Sequence, residues 1–448
     1  MIAFAALFAS LVQVSATDGP WTPLVALRGS DECSRCAGHL LPGELLPRVD
    51  WPLRIDSDLP ELFRGVGVLY ATTSVLPPFD MQDGRPVPEA MRKQVSAGFA
   101  GIDDAFEVFL YHFVRDPEDA RQPVRIVVHA RNLLDEDVLV EPRQSMATDG
   151  PFAEIDGPEV QLGRALLCGA WTRPIESVRL AARQGRAIGW TPVLQAAEPG
   201  ADATASGFVN GLVRAELAAA SGGAARVEVH VVAVPGSTPI GELSAACEAL
   251  LARGARSQET MDLSIPPPKC HVRRVSGVSR NVAWRGGARI DATRLGADGL
   301  SFLMAAPEVQ TRECREARQT APMLLHPPYV HPETIGNYLV EHEVELRLAN
   351  PGTTPLSLDL RFGKHDADIG LAWQVLVGDE LPSREALRAA EVQAGWAGKW
   401  KKDDLPDDTR SFLAQRIVVP PAGEKVVALR FVPLPSASMP FALKLVRD

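Results

Sequence analysis

The sequence predicts an all-β protein: two antiparallel β-sandwich-like domains with a few short inserted helices. Three observations lead there. Apolar and polar residues alternate at period two along much of the chain, which puts every second side chain on one face of a strand. Those runs are bounded by Pro, Gly, Asn and Asp, whose backbone preferences end strands. At 448 residues the chain exceeds what one ordinary core fills, so two domains are expected.

Taken in order, Ile2 to Val14 is almost wholly apolar, and Val14-Ser15-Ala16 carries the small or branched residues that a signal peptidase reads. Residues 1–16 therefore read as a signal peptide, although no Lys or Arg precedes Arg28 to form the usual positive n-region. The run is too short for a bilayer anchor, and Thr17, not Cys, follows Ala16, so no lipid anchor is indicated. The expected location is secreted, periplasmic or cell-envelope.

Residues 17–44 form a cysteine-containing extension. The chain has six cysteines, Cys33, Cys36, Cys168, Cys247, Cys270 and Cys314, a number that permits disulfides in an exported protein. Cys33 and Cys36, with His39 nearby, read as a local disulfide or as free thiols, because no second paired motif completes a zinc site.

Residues 45–263 read as the first sandwich-like domain. Phe106 to Phe113 alternates, as does Val124 to His129; a polar turn from Arg131 to Asp137 then leads into Val138 to Val140. Arg226 to Val232 is a further strand. The consecutive prolines within Ser264 to Lys269 mark the boundary. In the second domain, 264–448, His342 to Leu348 runs through the turn residues Asn350 to Pro355 into Leu356 to Phe362. Ile417 to Val419, the turn Pro420 to Gly423 and Val426 to Val432 repeat the device, and Phe441 to Leu445 closes the chain. Each strand–turn–strand reads as a hairpin, and the early and late pairs are alike enough to suggest internal duplication. Pro88 to Phe99, Gly241 to Arg253 and Ser383 to Trp396 have helical composition.

Several of these stretches together resemble an uncharacterised family of secreted bacterial proteins, best known from cyanobacteria and classed as a domain of unknown function. They are Ser57 to Glu61 leading into Gly67-Val68-Leu69, Phe106 to His112, and Val124 to Pro142. Val275 to Val278 with Trp284, Ala321 to Leu324, and Gly336-Asn337-Tyr338 before the 342–362 segment follow in the same order. The resemblance runs from about residue 45 to the end. The chain departs from it with Leu339 where the family carries glycine and Ile335 where it carries histidine. The resemblance implies the compartment and the fold, and brings no catalytic residues.

Charge narrows the function classes. A net charge of −10 argues against a nucleic-acid binder and a polybasic membrane-surface protein, leaving small ligands, cations, glycans or envelope proteins as partners. His342 to Leu346 begins like a zinc-protease helix, but Leu346 stands where the second histidine belongs and the segment alternates as a strand. Gly65-Val66-Gly67 lacks the third glycine of a dinucleotide loop.

Two loops carry metal-binding residue types. His326, His331 and Glu333 lie in one proline-stiffened segment, and His365, Asp366 and Asp368 follow a strand, the two aspartates spaced for oxygen ligation. The bland reading of both is a solvated turn. No cofactor is predicted beyond a divalent metal at these residues. Trp373, Trp396 and Trp400 are candidates for a sugar platform, against the usual fate of tryptophan as a core residue. The leading expectation is a non-enzymatic binding or structural component of the envelope or extracellular space. The alternative is a carbohydrate-active or metal-assisted hydrolase with its site between the two domains.

Overall fold

In the computed structural model the chain is described at residues 39–41, 43–58, 62–78, 85–114, 123–148, 158–169, 173–194, 208–254, 258–259, 276–296, 299–304, 319–330, 332–334, 338–363, 369–397, 411–435 and 441–448. It is an all-β fold of four sheets with few short helices. The signal peptide and the Cys33–Cys36 segment lie outside the described residues.

In the first sandwich a four-stranded sheet runs in the order Gly185–Trp190, Val124–Asn132, Val227–Pro235, Gly67–Ala71. It faces a larger sheet centred on Val138–Thr148, Phe208–Ala219, Phe106–Val114 and Leu53–Ser57. β-branched side chains such as Val108, Ile126, Val128, Val213 and Val231 fill the space between, as their fit to a pleated surface favours. The helix Leu243–Arg253 covers the outer face of the four-stranded sheet. Leu243, Cys247 and Leu250 recur at helical spacing on its buried face, and left-handed Gly254 stops it.

In the second sandwich a six-stranded sheet built around Val282–Asp291, His342–Asn350, Gly423–Pro433 and Ile369–Gly378 faces a five-stranded sheet built around Phe441–Arg447, Leu356–Gly363 and Ser411–Val419. Its core is aromatic: Phe362 meets Trp373, Phe431 and Phe441 edge-on.

The boundary expected near 264 does not separate the two sandwiches. Gly43–Pro47 pairs with Val282–Asp291 in the second sandwich, while Ser276–Arg280 and Met323–His326 extend the larger sheet of the first. The chain therefore crosses between them more than once. Prolines end strands locally, but backbone pairing across the sequence decides which body a strand joins.

The expected hairpins are arches. His342–Asn350 hydrogen-bonds to Gly423–Pro433, and Leu356–Gly363 hydrogen-bonds to Ser411–Val419 in the opposite sheet. Val124–Asn132 and Val138–Thr148 likewise lie in different sheets. Alternation leaves one face apolar in either arrangement, so the pattern cannot separate a hairpin from an arch.

The two arch systems repeat one design in detail. Asn132 is fully buried; its amide nitrogen donates to the carbonyls of Glu136, Leu180 and Ala181, and its oxygen accepts from Leu134 N. Asn350 donates to Thr354, Val419 and Pro420 and accepts from Gly352 N. The residue facing each arch is left-handed without being glycine: Arg183 (φ 61°) donates its N–H to Leu134 O, and Ala422 (φ 48°) donates to Gly352 O. The same side chain, the same offsets and the same strained partner occur in both sandwiches.

Helical composition is realised unevenly. Leu243–Arg253 is a helix, but only Glu89–Arg92 and Arg384–Ala389 are helical in the other two stretches, and Gln393–Ala397 is a strand that pairs with Ile369–Gly378. The unanticipated helix Pro158–Cys168 is wedged between the sandwiches, with Val160, Leu162, Leu166 and Leu167 packed against Leu212 on one side and Ala372, Val432 and Leu434 on the other.

Candidate functional site

Between the sandwiches lies a buried seam of charge. On the first sandwich, Arg54 donates to Asp56 (2.8 Å) and lies 3.4 Å from Glu107, which also takes the Arg214 guanidinium at 2.7 Å. From the second, Arg430 grips both oxygens of Glu341 at 2.6 and 2.9 Å and donates to Gln374. Bonds across the seam include Arg54 donating to Tyr338 O at 2.7 Å and Arg430 donating to Leu167 O on the wedge helix at 2.8 Å. Aromatic rings floor it, with Tyr111 stacked on Tyr338 and the Arg54 guanidinium over Phe109.

The electrostatics follow from burial and pairing. Burial alone pushes the Glu107 carboxyl up, and the Arg214 and Arg54 guanidinia outweigh it, holding Glu107 below the usual carboxylate range. For Glu341 burial again opposes ionisation, and Arg430, bonded to both its oxygens, wins. Asp56 goes the other way, because burial outweighs its one strong partner, Arg54. Their side chains are at most 5% exposed, so each carboxylate fixes the guanidinium beside it, and Arg54 and Arg430 in turn reach across the seam.

A second cluster lies on the outer face of the first sandwich. His129 and His230 are directly opposite on paired strands, with ring centroids 5.7 Å apart. His129 Nε2 is 3.1 Å from Glu248 Oε1 on the covering helix, though poorly aligned for a hydrogen bond, and His230 Nε2 is 3.8 Å from Glu228. Arg131 pairs with the other oxygen of Glu248. A cavity of about 310 Å³ lined by Arg183, Gln184, Gly185, Arg186, Ser244 and Glu248 opens beside this row. Gly185 is required there: a Cβ would collide with the His129 ring and the Glu248 carboxylate. Burial depresses His129 to about 4, with Arg131 adding to the depression and Glu248 opposing it. His230 lies well below the ordinary value from burial, then from the neighbouring charges of His129 and Arg131.

The residues singled out from the sequence are dispersed. His326 is buried and donates from Nδ1 to Pro327 O. Glu333 is buried and accepts from Thr320 Oγ1 at 2.8 Å. Both are thus held in local structure, not in the solvated turn their prolines suggested. His331, His365, Asp366, Asp368 and Trp400 lie outside the described residues, and Trp396 is placed only by its backbone in the edge strand. Among the described residues no three His, Cys, Asp or Glu side chains are grouped to hold a metal ion. Trp373 corrects the platform expectation: it is 3% exposed and stacked on Phe412, so its ring presents no face to a sugar. It alternates inward on its strand like its neighbours, which is why composition could not tell it from a surface ring.

Sequence reasoning missed the seam and the histidine row. Arg54, Glu107, Arg214 and Arg430 break the apolar pattern of otherwise buried strands, and His129 and His230 do the same; a polar residue on a strand buried on both faces was the available signal. Ser57 Oγ, 2.9 Å from His112 Nε2, is a nucleophile–base pair by type, yet both residues are fully buried beneath Phe63 at the end of the first core. In comparisons with known proteins, no family model matches the chain and no curated protein matches it. No helix among the described residues is long and apolar enough to cross a membrane.

Proposed function

We propose that this chain is an exported, non-enzymatic binding or structural component of the cell envelope or extracellular space, presenting a rigid pair of sandwiches to a glycan or an envelope protein. The observation that carries the reading is the buried seam. Three carboxylates and three guanidinia, Asp56, Glu107, Glu341, Arg54, Arg214 and Arg430, are at most 5% exposed as whole residues, and two of these guanidinia, Arg54 and Arg430, also bond backbone carbonyls across the seam. Ion pairs sunk this deeply contribute little net stability but specify one arrangement, which suits a spacer or a binding platform. The apolar opening segment with its small-residue cleavage site supports export, and the likeness to the secreted bacterial family is part of the same proposal.

The test uses the whole chain expressed in a bacterium. The mature product is recovered from the periplasm or medium, its N-terminal residue is determined, and it is screened against glycans and divalent metals alongside hydrolysis assays on the same polysaccharides. The reading predicts a product beginning at Thr17 and saturable binding without turnover. Sustained hydrolysis, or a cytosolic product retaining residues 1–16, overturns it.

A further inference from the structure

We infer that the helix Leu243–Arg253 is an acid-released latch, held shut over the four-stranded sheet by a neutral histidine pair and opened when that pair takes up a proton. This goes beyond the functional proposal and does not depend on it.

The latch has few fastenings. Leu243, Cys247 and Leu250 supply the apolar contact, Ser244 Oγ accepts from Ala187 N at 3.0 Å, and Glu248 takes Arg131 and abuts His129. Directly beneath are His129 and His230, 0% and 2% exposed. The Nδ1 atoms of both rings lack a hydrogen-bond partner among the described residues. Two adjacent buried imidazoles with unanswered nitrogens are expensive to keep and worse to charge, because a buried cation needs a counterion and solvent.

Charged or titratable groups come from several of the elements packed around the pair. The strand bearing His129 contributes Arg131, and the strand bearing His230 contributes Glu228, whose carboxyl is itself pushed up by burial. The arch and strand beside them contribute Arg183 and Arg186, with Arg183 paired to Asp135, and the helix contributes Glu248 and Cys247. A single proton on His129 can be met by Glu248. Arg131 already shares that carboxylate, and a second proton on His230 would stand 5.7 Å from the first, ring to ring. Release of the helix hydrates both imidazolium ions and frees Glu248. The cavity beside Glu248, whose side chain is 36% exposed, is where water and protons enter.

The sign follows from linkage. His129 binds its proton near 4 when the helix is closed and near the ordinary 6.5 when it is open, so the latch is tight above about pH 6.5 and loosens as the pH falls toward 4. At about pH 5 His129 alone shifts the opening equilibrium roughly thirty-fold toward the open state.

The experiment is hydrogen–deuterium exchange of the mature chain, read on peptides covering 243–253, at about pH 7.5 and about pH 5 after correction for intrinsic exchange rates. The expected result is a loss of protection of at least about ten-fold at the lower pH, confined to this helix and the 183–187 segment, reduced in His129→Gln and abolished in the double variant His129→Gln/His230→Gln, which has no imidazole left to take a proton. Protection that is independent of pH, or a pH step that survives in the double variant, overturns the inference. Because that variant can misfold, the wild-type protein is also labelled with 4,4′-dithiodipyridine, which reacts with thiols in acid, and modified peptides are counted. Cys247, fully buried on the helix's inner face, must become reactive as the pH falls; a thiol that stays sealed at about pH 5 overturns the latch without any variant.

Discussion

Replacing Asn350 by alanine tests the repeated arch directly. The residue is 1% exposed, its side-chain nitrogen serves the carbonyls of Thr354 (2.8 Å), Val419 (3.1 Å) and Pro420 (3.1 Å), and its side-chain oxygen takes Gly352 N at 3.0 Å. Two amide hydrogens shared among three carbonyls, plus one accepted bond, amount to about three hydrogen bonds at roughly 1 kcal/mol each. The stranded buried groups add to that, and water reaching the rim of the arch recovers part of the penalty. The expected loss is about 3–4 kcal/mol, a large share of a typical domain's stability of roughly 5–15 kcal/mol. Guanidinium unfolding followed by tryptophan fluorescence reads it through the buried Trp284 and Trp373. Asn132→Ala should cost a similar amount, because Asn132 makes the same set of bonds in the first sandwich, and two such distant changes should add. Losses below about 1 kcal/mol in both variants would refute the reasoning, since these bonds would then not hold the arches.

Three further outcomes follow from the same geometry. Glu341→Ala, which leaves Arg430 buried without its carboxylate, should destabilise by about 3–5 kcal/mol, measured as a shift in denaturant midpoint. His342 donates from Nδ1 to Val340 O and stacks on Phe431, and burial depresses it to about 4. The unfolded chain therefore takes up the proton first, so stability is full above about pH 6.5 and falls by about 2 kcal/mol by pH 5 for this residue alone; equal denaturant midpoints at the two pH values would contradict it. Ala422→Gly relieves a left-handed alanine at an exposed arch and should raise stability by about 0.5–1 kcal/mol, seen as a higher melting temperature.

How far the sequence could be read depended on which physical signal each feature leaves. Strands such as His342–Asn350 were legible because their burial alternates residue by residue, and the zinc-protease resemblance of that segment fails for the same reason. Their partners were not legible, because an inward face looks the same whether the next strand lies beside it or across the core. Leu339 shows a middle case. Leu339 has φ 57°, a left-handed conformation that favours glycine, while its side chain is buried in one cluster with Phe109, Leu212 and Leu434. The site residues were mostly hidden. Motif spacing pointed to His326 and Glu333, which are occupied locally, whereas Arg54, Glu107, Glu341 and Arg430 come together from positions far apart in sequence that only the folded chain brings into contact.

The account rests on the two sandwiches forming one body through exchanged strands, a wedge helix and a buried ionic seam. Scanning calorimetry of the mature chain tests this most directly. Because Gly43–Pro47 belongs to the later sandwich and Ser276–Arg280 with Met323–His326 to the earlier one, neither can melt without tearing strands from the other. A single transition is predicted, with calorimetric and van't Hoff enthalpies in agreement. Two resolved transitions that refold independently would contradict it.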